Sequence, residues 1–197
     1  MKLGRKMAFT AIVTMTLAVP PAVTGAQATS TTDATAVTYA ALHPSVAQIH
    51  AFNAGATPSQ NAAIGQQLRR LPGGVRIGAR QIAYYNGMVV YDVGPASLSD
   101  CPSGFFSGQW SCLYADSNNA GRMLKFQDAG YLQSLVPYNF DNMTSSWANT
   151  RGQNAYLHDT PTGGGYALCL AGNSHSTSIP NNDTAGSIYL AKSTSGC

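Results

Sequence analysis

The chain has 197 residues, 44% of them hydrophobic and only 10% charged, with 11 Lys+Arg against 8 Asp+Glu. All eight acids are Asp. The lack of Glu excludes a His-Glu-x-x-His zinc helix, a Glu-pair glycosidase site and an EF-hand closed by a bidentate Glu. Charge this far below the usual quarter of residues leaves Ser, Thr, Asn, Gln and Gly to form the polar surface, as in secreted β proteins.

The chain begins with Lys2, Arg5 and Lys6, followed by an apolar run from Met7 to Val19, Pro20-Pro21, and Ala26-Gln27-Ala28. Charged start, short apolar middle and small-residue end are the layout of a secretory signal. The run is too short for a membrane anchor, which needs about 20 apolar residues. Residues 1–28 are therefore expected to be a signal peptide cut after Ala28, or after Ala26, giving a secreted, extracellular product. Their removal takes three basic residues and no acid, so the remaining chain carries 8 of each and no net charge. No basic stripe remains for nucleic acid, and no second apolar run for a membrane.

Residues 29–58, rich in Ala, Thr and Ser, are expected to be weakly ordered, with at most a short helix around Ser45 to Phe52. Residues 59–97 read as a helix and a β-hairpin. Thr57 can cap the helix, Pro58 suits its first position, Ile64, Leu68 and Leu71 share a face, and Pro72-Gly73-Gly74 ends it. From Gln81 to Tyr91, β-rich flanks surround Asn86-Gly87, the signal of a two-residue hairpin turn. Gly94, Pro95 and Ser97 to Asp100 then read as a linker.

Residues 98–197 alternate short apolar runs with turn clusters, the mark of an all-β sandwich. Strands are expected at Trp110–Tyr114, Arg122–Phe126, Ser145–Asn149, Asn154–His158, Tyr166–Leu170 and Gly186–Ala191. Cys101, Cys112, Cys169 and Cys197 suit two disulfides in an exported protein. Of the three pairings, Cys101–Cys112 with Cys169–Cys197 is expected, the first local, the second tying down the C-terminus. The region also repeats. Asp141-Asn142-Met143-Thr144-Ser145-Ser146 returns 41 residues later as Asn182-Asp183-Thr184-Ala185-Gly186-Ser187, and Gly121-Arg122-Met123-Leu124 returns 44 residues later as Gly165-Tyr166-Ala167-Leu168. Two copies of a forty-residue β unit suggest two Greek keys.

A hard cation takes six to eight oxygens from carboxylates, amides, carbonyls and water. One such loop cannot complete that shell, but two can complement each other; the alternative is that these side chains only satisfy turn backbone. The doubled Asp/Asn-Asp/Asn-x-x-Ser/Thr-Ser pattern resembles the calcium motif of microbial βγ-crystallin domains. Cys101-Pro102-Ser103-Gly104, Cys112-Leu113-Tyr114-Ala115-Asp116, Gly121 to Phe126 and Tyr138 to Asn149 together resemble secreted actinobacterial inhibitors of the Streptomyces metalloproteinase-inhibitor family. The resemblance spans about residues 101–190, and the helix, Pro-Gly-Gly and hairpin resemble the extension preceding many such domains. It implies a mainly β, βγ-crystallin-like Greek-key sandwich behind a small helix-plus-hairpin segment, and a non-enzymatic inhibitor of extracellular metalloproteases; the alternative is a calcium-binding structural or stress module of βγ-crystallin type that inhibits nothing.

The same resemblance implies calcium ligands: Asn142 and Asp183 side chains across the loops, with Asp141 and Asn182 beside them, Met143 and Thr184 carbonyls, and the Ser145 hydroxyl. Gly186 stands where Ser145 has its counterpart, so one of the two sites should be weaker or empty. Asn119 stands where the family has an aromatic residue, which should leave that hairpin less regular. The short Cys101–Cys112 loop offers Phe105, Phe106 and Trp110 as candidate partner anchors, with core packing the alternative for Trp110. The chain has no second tight disulfide loop. His158-Asp159, His175, His43 and His50 form no triad or zinc spacing, and no Gly-x-Ser-x-Gly elbow is present, so no catalysis is expected.

Overall fold

In a computed structural model, residues 42–103, 109–193 and 197 are described, all within one compact unit, 32–197. The expected signal segment, and Phe105 and Phe106, lie outside the described residues. Among the described residues two helices come first, α1 (Val46–Ala54) and α2 (Pro58–Arg70), each opened by a capping box, at Ser45 with Gln48 and at Thr57 with Gln60. α1 lies where a short helix was anticipated and ends two residues beyond Phe52. Ile64 of α2 is buried in the main core, with Leu68 and Leu71 packed against it.

Eleven strands follow: β1 (Val75–Arg76), β2 (Gln81–Tyr84), β3 (Val89–Ala96), β4 (Ser111–Asp116), β5 (Ala120–Phe126), β6 (Leu132–Ser134), β7 (Ser146–Asn149), β8 (Ala155–His158), β9 (Ala167–Leu170), β10 (Ser174–Ser176) and β11 (Ser187–Leu190). All six strands expected after residue 98 are present. The two further strands there, β6 and β10, have three residues each. The first sheet runs β1-β2-β3-β5-β4-β7-β10 and the second β6-β11-β8-β9, with every pairing antiparallel. β4–β7 form one Greek key and β8–β11 the other. Each key sends its third strand, β6 or β10, to the edge of the other key's sheet.

Two hairpin expectations need correction. Tyr84 pairs with Val89, so the loop has four residues, and Tyr85, Asn86 and Gly87 all take positive φ. Asn-Gly thus sits inside a wider turn instead of forming a two-residue one. Nor do Gly94 and Pro95 belong to a linker: β3 runs through both to Ala96 and pairs along β5, so the hairpin extends the first sheet.

The main core lies between the sheets and includes Tyr84, Tyr91, Leu113, Phe126, Phe140, Leu157, Ile188 and Leu190. A second cluster covers the outer face of the first sheet, where Ala83, Val90, Cys112, Tyr114, Met123 and Ala148 meet Ala96, Cys101 and Trp110. This sheet is therefore buried on both faces, which explains continuous burial along Ser111–Tyr114 and Ser146–Asn149. Polar groups under that cover are paired. Asp92, fully buried, accepts from the Gly94 amide and Gln81 Nε2, and Arg80 bridges it (3.5 Å) to Asp100 (3.3 Å). Lys125, 7% exposed, holds its ammonium 5.9 Å from the Trp110 ring centroid. Burial pushes the lysine below its ordinary value, while Asp92 pulls it back. The expected disulfides Cys101–Cys112 and Cys169–Cys197 are both present.

Candidate functional site

The repeated loops precede β7 and β11, the fourth strands of the two keys, and the Greek-key exchange brings them side by side. The Asn142 amide donates to the Ala185 carbonyl (2.9 Å), and the Asp183 amide to the Thr144 carbonyl (3.2 Å). Each loop thus binds the other through the same backbone positions. Asn142 and Asp183, second in their motifs, both take left-handed φ, at 54° and 57°. Asn and Asp tolerate that region better than other side chains, one physical reason for Asx at this position.

The symmetry extends to the last residue of each motif. Ser146 Oγ donates to the Asp116 carbonyl and Ser187 Oγ to the Thr160 carbonyl, both at 2.6 Å. The amides one residue earlier do the same job: Ser145 N reaches the Tyr114 carbonyl at 2.9 Å, and Gly186 N the His158 carbonyl at 2.8 Å. Each repeated loop is therefore pinned to the hairpin of its own key.

The two loops differ at the fifth position. Ser145 Oγ donates to the Ala115 carbonyl (2.8 Å) and lies 3.2 Å from Asp183 Oδ1, so a hydroxyl and a carboxylate from opposite loops converge. In the same loop, Asp141 Oδ1 and Thr144 Oγ1 are buried without a hydrogen-bond partner. Met143 adjoins the left-handed residue in this loop, as Thr184 does in the other. The converging hydroxyl and carboxylate are of the oxygen type that a hard cation takes. Among the described residues, no three His, Cys, Asp or Glu side chains are grouped to hold a metal. Any cation here would rest on mixed hydroxyl, carboxylate and carbonyl ligands.

At the second loop Gly186 offers no hydroxyl, and a side chain has no room. A Cβ there would lie 2.7 Å from Pro161 N and from the Thr160 carbonyl carbon, and 2.8 Å from the Asp159 carbonyl oxygen. Asn142 Nδ2 turns to its neighbour Asp141 (3.3 Å), and Asn182 Nδ2 to Asp183 (2.9 Å). Thr184 Oγ1 donates to the Asn181 carbonyl at 2.9 Å. These residues do not fit a second cation site, because the chain at Asp159–Pro161 lies against Gly186.

That chain belongs to the loop 159–166 between β8 and β9, which sequence reading left unmarked. Pro161, Thr162, Gly164, Gly165 and Tyr166 are exposed, with Tyr166 at 50%. The loop is nonetheless tied from within. Thr160 Oγ1 accepts from the Gly164 amide at 2.7 Å, the Gly163 amide reaches the Thr160 carbonyl at 3.2 Å, and Asp159 Oδ2 accepts from the Tyr166 amide at 3.1 Å. Gly163 sits so close to Leu132 of β6 that a Cβ would come within 2.8 Å of Cδ2. The run Thr-Pro-Thr-Gly-Gly-Gly was the available sequence signal for a tight, exposed loop.

The expected anchor Trp110 is corrected: it is 1% exposed, packed under the cover of the first sheet. His158 ends β8 in the second sheet and Asp159 opens the loop after it, whereas His175 lies on β10 at the edge of the first sheet. No helix among the described residues is long and apolar enough to cross a membrane.

With the sandwich, its exchanged strands and the paired loops in view, comparison with known proteins gives one family match. Residues 94–170 match the model of peptidase inhibitor family I36. The resemblance to a peptidase-inhibitor family is thereby borne out, and the matched stretch includes both the Cys101–Cys112 loop and the 159–166 loop. No curated protein matches the chain. Among solved structures, a βγ-crystallin described under the evolution of the eye-lens domain fold is 19% identical, covering 52% of this chain and 96% of its own at a TM-score of 0.42. A βγ-crystallin domain from Flavobacterium johnsoniae is 24% identical over 43% of this chain and 98% of its own, TM-score 0.34. One from Clostridium beijerinckii is 17% identical over 43% and 99%, TM-score 0.37. The fold is mainly β, with two short helices ahead of two antiparallel sheets, as the sequence implied, and these βγ-crystallin domains are what it is similar to.

Proposed function

We propose that this protein is a secreted, non-enzymatic inhibitor of extracellular peptidases, with metalloproteases as its target class and the loop 159–166 as its contact. The family match over residues 94–170 is the observation that carries the reading. Metalloproteases are favoured by the resemblance of the cysteine and Gly-Arg-Met-Leu segments to the Streptomyces metalloproteinase-inhibitor family. The loop is favoured by its mechanics: an inhibitor gains affinity when its exposed segment is ordered before binding, and this one is exposed yet internally hydrogen-bonded. The two disulfides accord with an oxidising, extracellular setting. The mature chain from Thr29 should inhibit a thermolysin-like metalloprotease at micromolar concentration and spare a subtilisin-like serine protease. Inhibition of neither enzyme would sink the reading, and inhibition of the serine protease alone would sink the target class.

A second reading, calcium binding as a structural or stress module, is favoured by the converging Ser145 and Asp183 oxygens and the orphaned oxygens of Asp141 and Thr144. Asp183, Ser145 and the Met143 carbonyl would hold one calcium ion, which would neutralise the carboxylate and lock the two keys together. Calcium at about a hundred times Kd should raise Tm by roughly 5–10 °C, because it binds the folded state alone. Asp183→Ala should abolish the rise. An unchanged melting curve in millimolar calcium against chelator would remove calcium from the account.

A further inference from the structure

We propose that the second repeated loop, 182–187, has exchanged the part its partner plays for another: it is the brace that holds the loop 159–166 in its exposed shape. Where 159–166 is taken as the protease contact, this rests on the function proposed above; the bracing itself stands on geometry alone. Gly186 and Ser187 are its positioning residues. Gly186 has no Cβ, and the backbone of Asp159–Pro161 lies in the space one would occupy, against atoms that cannot swing aside as a side-chain tip could. From the same short segment the Gly186 amide holds the His158 carbonyl (2.8 Å), and Ser187 Oγ holds the Thr160 carbonyl (2.6 Å). Thr160 is the residue on which the loop closes, since its hydroxyl and carbonyl accept from Gly164 and Gly163. Fixing Thr160 from below therefore fixes the closure above it.

The first key shows what the brace replaced. Ser145 stands at the position of Gly186 and turns its hydroxyl to Ala115 and Asp183. The hairpin beneath it turns tightly at Asn118 and Asn119 and presents no long exposed loop. A hydroxyl donor and a packed loop cannot share the same space, so the Gly in the motif gives up the cation ligand and gains a seat for the loop. Gly186 and Ser187 are both buried, so neither can touch a protease directly.

The test compares Gly186→Ala, Ser187→Ala and the mirror variant Ser146→Ala, which removes the same hydrogen bond from the first key together with one accepted from the Asn119 amide. Hydrogen exchange is read at the Gly164 and Tyr166 amides, together with the rate at which the mature protein leaves a thermolysin-like protease. Gly186→Ala and Ser187→Ala should speed exchange at both amides by roughly tenfold or more, and dissociation similarly. Ser146→Ala should lower Tm comparably and leave both readouts near wild type. Unchanged exchange in the first two variants overturns the proposal, as does equal acceleration by Ser146→Ala, since the loop would then follow global stability only. Faster exchange with unaltered dissociation upholds the brace and removes 159–166 as the protease contact. If Gly186→Ala fails to fold, Ser187→Ala carries the comparison, because it introduces no new atoms.

Discussion

Asp92→Ala should destabilise the protein by about 3–5 kcal/mol, the cost of breaking a buried ion pair from one side. The carboxylate is completely buried and has three partners: the Gly94 amide, Gln81 Nε2 and the Arg80 guanidinium. Arg80 is 28% exposed at its side chain and retains Asp100, so its loss is partly screened by solvent. Lys125 has no such recourse. It is 7% exposed, already pushed below its ordinary value by burial, and Asp92 is the larger of the two acidic influences opposing that shift. Removing the carboxylate lowers the lysine further. In the unfolded chain the amine stays protonated up to about pH 10.4. Between the depressed folded value and that figure the unfolded state binds more protons, so stability must rise with pH. The variant should therefore recover part of its loss as pH rises from 7 towards that figure, more than wild type gains over the same interval. Urea midpoints at pH 7 and pH 10 measure both parts. A variant within 1 kcal/mol of wild type at pH 7 would mean that water reaches this pocket and screens it.

Local chemistry explains what the sequence made legible. Thr57, Pro58 and Gln60 start α2 by hydrogen bonds made within four residues, so they can be read without knowing what the helix packs on. Six strands announced themselves by apolar runs, because both faces of the first sheet and the inner face of the second are covered. β6 and β10 did not: Leu132-Gln133-Ser134 and Ser174-His175-Ser176 are short and polar, and they are strands because the other key's sheet offers them an edge. The burial of Trp110 was illegible for the same reason, since nothing near it in sequence states that it packs with Ala96 and Cys101 over the sheet. At the site, the positions of Asn142, Asp183, Ser146 and Ser187 were readable as a repeat. Gly186 was readable as a missing hydroxyl but not as a necessary glycine, because the backbone that requires it comes from 25 residues upstream.

The same contrast governs Asn119. Its place in the family pattern implied an aromatic residue and a less regular hairpin, and β4 and β5 do shift register between Tyr114 and Asp116. The structure gives the asparagine a different task. At 2% exposure, its Nδ2 donates to the Trp147 carbonyl (3.0 Å) and the Ser176 carbonyl (3.1 Å), and its amide donates to Ser146 Oγ (3.0 Å). One side chain thus joins the first key's hairpin to β7 and to β10, the strand lent by the second key. Its φ of 55° adds a second requirement. Asn119→Ala should cost about 2–4 kcal/mol: two carbonyls lose a buried donor, and a methyl side chain must sit in the left-handed region. Asn119→Gly meets the backbone requirement and loses the same donors, so it should be less destabilised than Asn119→Ala. In both variants amide exchange along β10 should accelerate more than along β11, because only β10 depends on this bridge for its seat in the first sheet. Equal acceleration in the two strands would show that the exchanged strand is held by its ladder to β7 alone, and that the asparagine answers only to its backbone angle.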